Sequence, residues 1–329
     1  MAELKNRKMG ASELMVSPLG LGSWQFSRGN GLVGKYWPAI SDETVDAIVK
    51  ATLEGGINWF DTAEIYGNGE SEKALAAALQ RQSVAPGEVA IATKWWPFMR
   101  SARSLIGTIN ERLRMLAPYP IDLYQIHQPF SVSSVKEQMR AMAKLQNDGN
   151  IRYAGVSNFS AKQMKAAHRL LSEFGFSLIS NQVKYNLLDR RIEDNGILET
   201  AQELGIAIIA YSPLEQGILT GKFHAEPERL RQLSGMRRMQ RSFREENVNH
   251  VRPLILKMQE IAEKYGATTS QVALNWLVSF HGDTVFAIPG ASSAKQASDN
   301  AGALHFSMTD VELKSLDAIS QEVRTAVFA

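Results

Sequence analysis

The sequence predicts an α/β protein folded as a closed (β/α)8 barrel, also called a TIM barrel. Eight short apolar runs of the strand type are separated by longer amphipathic stretches along the 329 residues. Strands that alternate with helices of about 10–15 residues indicate parallel βαβ units, and eight such units close a barrel. No linker or break in composition divides the chain, so we expect one domain over residues 1–329. The alternative is a doubly wound open sheet, which normally carries a glycine-rich turn directly after its first strand.

The eight predicted strands are short apolar runs, whereas the stretches between them have helical periodicity. In chain order the strands are Ser17–Ser23, Ile57–Phe60, Val89–Thr93, Ile121–Ile126, Tyr153–Val156, Leu178–Gln182, Ile206–Tyr211 and Thr284–Ile288.

The amphipathic stretches predict helices with recognisable ends. In Ser41–Glu54 the apolar residues fall on one helical face. Ser41 is the expected N-cap of this helix, and Gly55–Gly56 end it. Further helices are predicted over Ser134–Gln146 and Thr268–Val278, with an extra C-terminal helix over Met308–Gln321.

A long insertion follows the seventh predicted strand. Residues Pro213–His250 separate this strand from the next helix and contain the basic run GMRRMQRSFREEN. Loops of this length without obvious structure are usually functional or mobile. The basic run is therefore predicted to be either a solvated loop or a segment that closes over a ligand.

Composition excludes several classes of function. The net charge of +2 does not predict binding to nucleic acid or to a membrane surface. The absence of cysteine excludes disulfides, thiolate metal sites, iron–sulfur clusters and a cysteine nucleophile. None of the six histidines is in an HxH or HExxH arrangement, so no metal site is predicted. Without a signal-peptide pattern or a long apolar run, we expect a cytoplasmic protein that does not enter the membrane.

Three ionisable residues follow consecutive predicted strands. Asp61, Lys94 and His127 are spaced 33 residues apart, one βα unit each. Since the carboxyl ends of barrel strands share one rim, we expect the three side chains to meet there. Tyr66 lies in the loop after Asp61 and is close enough to return its hydroxyl over the barrel mouth.

These four groups form a coherent site for proton transfer. A free tyrosine is a poor acid at neutral pH because its pKa is about 10. A nearby ammonium lowers that pKa, while an aspartate keeps the lysine charged and oriented. A histidine beside the tyrosine can hydrogen-bond the same substrate oxygen or relay a proton. The alternative is a buried Asp–Lys ion pair beside a satisfied core histidine, which is less favoured when all four residues lie on adjacent strand ends.

Two other motifs are rejected by their context. GNGLVGK at Gly29–Lys35 fits G-x-G-x-x-G and most of a P-loop, but both motifs must open a helix and the following residues are YWP. A flexible loop beside the barrel mouth is predicted instead. Asp61 with Glu64 suggests the paired carboxylates of a glycosidase, but no second acidic residue at a strand end supports that interpretation.

Motifs along nearly the whole chain resemble those of the aldo-keto reductases. Each is weak or moderate alone, whereas their order and spacing together are highly specific. The resemblance runs from about Leu14 to about Asp317. The motifs are GLGSW at Gly20–Trp24, GINWFDTAEIYGNGESE at Gly56–Glu72, ATK at Ala92–Lys94, DLYQIHQP at Asp122–Pro129, GVSNF at Gly155–Phe159, NQVKYN at Asn181–Asn186, AYSPLEQGILTGK at Ala210–Lys222 and IPGASSAKQASDN at Ile288–Asn300.

The resemblance implies a catalytic tetrad of Asp61, Tyr66, Lys94 and His127. Tyr66 would be the general acid that protonates the carbonyl oxygen of an aldehyde or ketone. Lys94 and Asp61 would tune Tyr66, and His127 would orient the carbonyl. The hydride would come from a reduced nicotinamide cofactor, which carries the redox chemistry.

The resemblance also implies a dinucleotide site along the same rim. Ser157, Asn158 and Gln182 would bind the nicotinamide carboxamide, and Tyr211 would stack on its ring. The other implied cofactor-binding residues are Ser23, Trp24 and Asp61, then Ser212, Pro213, Leu214, Gly217, Leu219, Gly221 and Lys222 around the pyrophosphate, and Gly290, Ser292, Gln296, Asp299 and Asn300 at the adenosine end.

NADP(H) is the expected cofactor, with NAD(H) as the alternative. Many members of the family place a basic residue where Ser292 stands, and such residues bind the 2′-phosphate of NADP. In this chain the phosphate would be bound by Ser292, Ser293, Lys295 and Gln296, assisted by Arg237, Arg238 or Arg241 of the insertion.

Aromatic residues predict an apolar substrate pocket. Its expected lining is Trp24, Tyr66, Trp95, Trp96 and His127, with Tyr36 and Trp37 as further candidates. Such walls favour a small carbonyl compound with an apolar or aromatic part. Two alternative functions are a cofactor-binding regulatory subunit that resembles potassium-channel β subunits, and a sugar-phosphate isomerase.

Overall fold

The barrel predicted from the sequence is present in the computed structural model, which describes residues 4–31, 36–233 and 239–324. An antiparallel hairpin, β1 and β2, precedes a parallel sheet of eight strands, β3 to β10, paired in chain order. The strands β1 to β10 are Arg7–Lys8, Met15–Val16, Leu21–Gly22, Trp59–Asp61, Ala90–Trp95, Leu123–Ile126, Tyr153–Ser157, Leu178–Lys184, Ala207–Tyr211 and Val285–Ala287.

Backbone hydrogen bonds join the first strand of the barrel to the last. The N–H of Gly20 donates to the carbonyl of Ala287, whose own N–H donates to the carbonyl of Pro18. The regular ladder of β3 is shorter than the predicted strand Ser17–Ser23, because Pro18 has no N–H to donate. The other predicted strands overlap observed ones, and the predicted fold class is confirmed.

Helices cover the outside of the barrel. The predicted N-cap Ser41 accepts a hydrogen bond from a backbone N–H of its helix, as do Ser134 and Thr268, which begin two other predicted helices. None of the helices within the described ranges is long and apolar enough to cross a lipid bilayer. The helices α1 to α15 are Asp42–Glu54, Glu70–Arg81, Ala102–Gly107, Ile109–Leu116, Val135–Asn147, Ala161–Ser172, Arg191–Asp194, Ile197–Leu204, Lys222–Ala225, Glu228–Arg231, Glu245–His250, Arg252–Tyr265, Thr269–Ser279, Ala294–Gly302 and Asp310–Val323.

The insertion after β9 contains short helices that were not predicted. Helical turns at Glu215–Thr220 and Arg241–Phe243 accompany α9, α10 and α11. Arg237 and Arg238, with most of the motif at Gly29–Lys35, lie outside the described residues. The extra C-terminal helix is confirmed as α15.

The hairpin β1–β2 packs into the barrel interior and was not predicted. Met9, Leu14 and Val16 are buried in an interior cluster that includes Trp59 and Phe286. This cluster is separate from the larger core between the strands and the helices. Since the barrel interior is filled, the space for a ligand lies at the strands' carboxyl ends.

Candidate active site

The ends of neighbouring strands bring Asp61 and Lys94 together. Asp61 is the last residue of β4, and Lys94 points into the barrel like Ala90 and Ala92 of the same strand, because alternate residues share a face. The Lys94 ammonium forms an ion pair with Asp61 and donates to the carbonyl of Thr62 at 2.8 Å. Both charged side chains are fully buried, so the charge of each must be balanced by the charge of the other.

Two amides hold the second oxygen of Asp61. Gln182 Nε2 donates to Asp61 Oδ2 at 2.9 Å, and Gln125 Nε2 donates to the same oxygen at 3.2 Å. The carboxylate is therefore satisfied by donors from three different strands. Gln125 was not predicted as a site residue, although its position two residues before His127 on the inner face of β6 could have indicated it.

Tyr66 returns over the barrel mouth as predicted. The centre of its ring lies 5.0 Å from the Lys94 ammonium and 5.7 Å from the centre of the His127 ring. The turn after Tyr66 depends on Gly67, which has φ +68° and approaches Ser27 so closely that a Cβ would lie 2.4 Å from the Ser27 carbonyl oxygen. The four predicted residues thus form one cluster.

Burial sets the protonation states of this cluster. Burial raises the pKa of Tyr66 by more than Lys94 lowers it, so the expected net lowering is wrong and the phenol is protonated at neutral pH. Burial opposes the charge of Lys94, but Asp61 and Tyr66 outweigh it and raise the pKa of the ammonium. Burial and the charge of Lys94 hold the pKa of His127 well below its usual range. The site therefore holds a neutral phenol, an ammonium and a neutral imidazole.

A cavity of about 1080 Å³ extends from these residues along the strands' carboxyl ends. It is lined by most residues that the sequence predicted to bind cofactor or substrate. These are Ser23, Trp24, Asp61, Tyr66, Trp96, His127, Ser157, Asn158, Gln182, Tyr211, Ser212, Pro213, Leu214, Gly217, Lys222, Gly290, Ser292, Gln296, Asp299 and Asn300.

Several predicted residues do not line the cavity, among them Lys94, which is fully buried. Trp95 is fully buried on the outer face of β5, where its Nε1 donates to Ser104 Oγ at 3.2 Å, so its predicted contact with substrate is wrong. It alternates with Lys94, and only one of the two can face inward. Leu219 is buried in the outer core, and Gly221 lies against α13 behind the loop. Arg241, a further candidate for the phosphate, also lies outside the lining.

Tyr211 is fixed in the middle of the cavity by a hydrogen bond. Its hydroxyl donates to Asn158 Oδ1 at 3.1 Å, while Asn158 Nδ2 donates to Ser157 Oγ at 3.1 Å. Asn158 has φ +60°, an uncommon backbone conformation for a residue other than glycine. This arrangement holds the flat Tyr211 ring on one wall, where a flat ligand ring can stack.

The loop after β9 has a strained backbone and an ammonium beneath it. Glu215, Gln216 and Gly217 have φ of +43°, +51° and +99° in sequence. Glu215 is buried and accepts hydrogen bonds from Lys184 Nζ at 3.0 Å and Asn186 Nδ2 at 2.8 Å, which anchor the loop. A Cβ on Gly217 would lie 2.7 Å from the Nζ atom of Lys222, so the ammonium lies directly against this glycine. The combination suits a phosphate group.

The far end of the cavity is formed by the start of two helices. The first residues of α13 and the N-cap of α14 line it, as does the exposed Lys295. Backbone N–H groups at helix N-termini favour anions. The residues here that were not predicted as site residues are Thr268, Thr269 and Ser270, although the predicted helix Thr268–Val278 begins at this point.

Side chains from three distant segments meet over the cavity mouth. Tyr36 donates to Gln216 Oε1, and Gln240 Nε2 donates to the Tyr36 hydroxyl at 3.0 Å. The Tyr36 ring stacks on Trp24 at 5.0 Å, and Trp24 stacks on Tyr66 at 5.9 Å. Nothing in the local sequence indicates these contacts, since up to 204 residues separate the partners.

The residues described here include no group of three or more His, Asp or Glu side chains that could hold a metal ion.

Sequence comparison supports the resemblance noted above. The model of the aldo/keto reductase family matches residues 18–321. An uncharacterized oxidoreductase of Mycobacterium tuberculosis is 37% identical over 313 residues, which cover 94% of this chain and 90% of that protein. The chloroplastic pyridoxal reductase of Arabidopsis thaliana is 33% identical over 328 residues, covering 96% of this chain and 86% of the relative.

Solved structures have the same fold. A glycerol dehydrogenase from Gluconobacter oxydans matches with a TM-score of 0.82 at 29% identity, covering 98% of this chain and 96% of the other. An aldo/keto reductase from Klebsiella pneumoniae, solved in complex with NADP and acetate, matches with a TM-score of 0.74 at 25% identity, covering 98% and 97%.

Proposed function

Because the chain belongs to the aldo/keto reductase family, we propose that it is an NADP(H)-dependent reductase of aldehydes or ketones. The observation that carries this proposal is the half-buried Tyr66 phenol, protonated at neutral pH, beside the Lys94 ammonium at one end of a long cavity. A protonated phenol in this position is a general acid for a carbonyl oxygen.

The remainder of the cavity fits a dinucleotide. The Lys222 ammonium, which lies directly against Gly217, suits a pyrophosphate, and the Tyr211 ring suits a nicotinamide. Ser157, Asn158 and Gln182 would hold the carboxamide. When bound, the reduced nicotinamide supplies the hydride. The Klebsiella pneumoniae relative, which binds NADP, supports the choice of cofactor.

The adenosine end of the cavity offers a single lysine, among the described residues that line it, for recognition of a 2′-phosphate. Ser292, Ser293 and Lys295 line the adenosine end, and Lys295 is the cation among them. We propose that Lys295 binds the 2′-phosphate and gives NADPH the tighter dissociation constant. Tighter binding of NADH than of NADPH in a direct titration would overturn the assignment.

Each residue of the cluster has a distinct task in the proposed reaction. Tyr66 donates its hydroxyl proton to the carbonyl oxygen, and Lys94 stabilises the phenolate that forms. Asp61 keeps Lys94 in place and charged. The neutral imidazole of His127 orients the carbonyl oxygen beside the phenol. Electrostatic stabilisation by a preformed, buried cation is effective because no solvent must reorganise.

The substitution Tyr66→Phe tests this assignment. It removes the acid but keeps the ring that stacks on Trp24, so we expect kcat for aldehyde reduction by NADPH to fall at least about 100-fold. The dissociation constant of NADPH, measured by fluorescence titration, is expected to stay within about twofold. Retained turnover would contradict the role of Tyr66. Tight NADPH binding by the wild type without turnover of any aldehyde would favour the regulatory-subunit alternative.

A further inference from the structure

An apolar surface patch lies beside the cavity, on the loops that follow β5 and β6. We call it the outer patch; it consists of Phe98, Met99, Phe130 and Val132, with exposed fractions of 57%, 79%, 46% and 71%. These are four of the nine large apolar side chains that are exposed in the described part of the chain. Exposed apolar residues that cluster, rather than scatter, mark binding surfaces on soluble proteins.

Ring contacts connect the outer patch with the catalytic cluster. Phe98 lies edge-on to Phe130 at 6.1 Å, Phe130 contacts Trp96 at 6.0 Å, and Trp96 contacts His127 at 5.2 Å between ring centres. Trp96 also lines the cavity, so its ring lies between the cavity and the outer patch. An apolar chain that leaves the cavity beside His127 therefore meets aromatic surface before it meets water.

A buried carboxylate holds the loop that carries the exposed rings. Glu64 accepts hydrogen bonds from the backbone N–H of Trp96 and from the Arg100 guanidinium. Arg100 also donates to the Trp96 carbonyl at 3.1 Å, and its own carbonyl accepts from Ser131 Oγ at 2.7 Å, which ties the two loops together. Exposed rings fixed in this way lose little conformational entropy when a ligand binds.

The charges along the cavity restrict the ligand further. Among the residues described, the cationic side chains that line the cavity are Lys222 and Lys295, and both lie in the proposed dinucleotide half. The half next to Tyr66 and Trp96 presents rings, amides and a neutral imidazole. A phosphorylated or carboxylated carbonyl compound would find no cation among the described residues that line this half, whereas an uncharged apolar compound would find matching surface.

We infer that the outer patch is a second substrate subsite, which binds the apolar end of a long carbonyl compound while the carbonyl lies against Tyr66. The inference rests on the proposed function and narrows its substrate class to uncharged aldehydes or ketones with a long-chain or polycyclic apolar part. The occupant is the substrate itself and not a second copy of the chain, because the patch is continuous with the cavity through Trp96.

The test compares propanal with decanal at saturating NADPH, in the wild type and in a Phe98→Ser/Phe130→Ser variant. We expect kcat/KM of the wild type to be at least about tenfold higher for decanal, as burial of several CH₂ groups implies. The variant should lose this advantage through a higher KM for decanal and keep its kcat/KM for propanal within about twofold. The matched control is Phe174→Ser, which removes a similarly exposed ring (47%) that follows α6 and does not line the cavity. This control should not change kcat/KM for either aldehyde.

Three results would overturn the inference, and they are distinguishable. Equal kcat/KM for both aldehydes in the wild type would show that the outer patch is not a substrate subsite, without contradicting the proposed reductase activity. A sedimentation mass that falls in the double variant, with an unchanged preference for decanal, would make the outer patch an interface between copies. Failure of the wild type to reduce either aldehyde, with NADPH bound, would overturn the proposed function and the subsite together.

Discussion

The protonation states of Tyr66, Lys94 and His127 are decided by burial and by one ion pair. Asp61 supplies the single compensating charge, and the amides of Gln125 and Gln182 occupy its other oxygen. Tyr66 itself lines the cavity, so its hydroxyl proton faces the space in which a ligand would bind.

These states predict a particular pH profile for carbonyl reduction. Because burial raises the pKa of Tyr66, the acid form persists through neutral pH, and kcat/KM should not decline with rising pH until the pH exceeds about 10, the usual pKa of a tyrosine. Because the pKa of His127 is held well below its usual range, no loss of activity is expected near pH ~6.5, where a free imidazole titrates. The check is kcat/KM measured from about pH 6 to 10; an acid limb centred near the ordinary histidine value would show that His127 titrates as an exposed residue.

A single glycine should control cofactor affinity. In Gly217→Ala the methyl group meets the Lys222 ammonium and the backbone must keep φ +99°, so the loop or the cation has to move. We expect the dissociation constant of NADPH to rise about tenfold, equivalent to about 1.4 kcal/mol, with kcat at saturating NADPH little changed. Gly149→Ala is the control, since this glycine also has positive φ but a Cβ added there would meet no atom within 4 Å. Equal NADPH affinity in both variants would show that the space beside Lys222 does not serve the cofactor.

At the scale of elements, the hairpin β1–β2 fills the end of the barrel opposite the site. Met9 is fully buried in the interior cluster, whereas Met15 of the same hairpin is 49% exposed. Met9→Ala should lower the free energy of unfolding by about 2–5 kcal/mol, as expected for a cavity in a packed core, and Met15→Ala should have little effect. Urea denaturation measures both. A loss of NADPH binding in folded Met9→Ala would show that the two ends of the barrel are not independent.

The elements that the sequence predicted best are those with a strong local signal. The helix that begins after Ser41 has an N-cap, acidic residues in its first turn and one apolar face, and it lies where predicted. The hairpin was missed because its strands are only two residues long each, too short for any periodicity. The short helices within Pro213–His250 were missed for the same reason.

At the scale of the whole molecule, barrel closure explains why the cluster of Asp61, Tyr66, Lys94 and His127 was predictable. Once eight strands are parallel and adjacent in chain order, their carboxyl ends share one rim, and residues such as Asp61 and Lys94 must meet there. The direction of a side chain is harder to predict when a strand end is uncertain by one residue. Trp95 was placed in the pocket for that reason, although alternation turns it away from Lys94.

Contacts between distant loops could not be predicted from local patterns. Tyr36, Gln216 and Gln240 meet at the cavity mouth only because three loops converge on one face of the barrel. The same convergence places Trp96 between His127 and the outer patch. Loops on one rigid rim thus shape both the mouth of the cavity and its apolar extension, and the barrel beneath them determines where these loops start and end.

The most direct test of the central claim is a single-turnover reaction with NADPH deuterated at the hydride-donating carbon of its nicotinamide. The wild type with this cofactor already bound should convert an aldehyde to an alcohol that carries the deuterium, and Tyr66→Phe with the cofactor equally bound should do so at least about 100-fold more slowly. An alcohol without the label, or transfer by Tyr66→Phe at the wild-type rate, would contradict the claim that Tyr66 protonates a carbonyl while a bound nicotinamide reduces it.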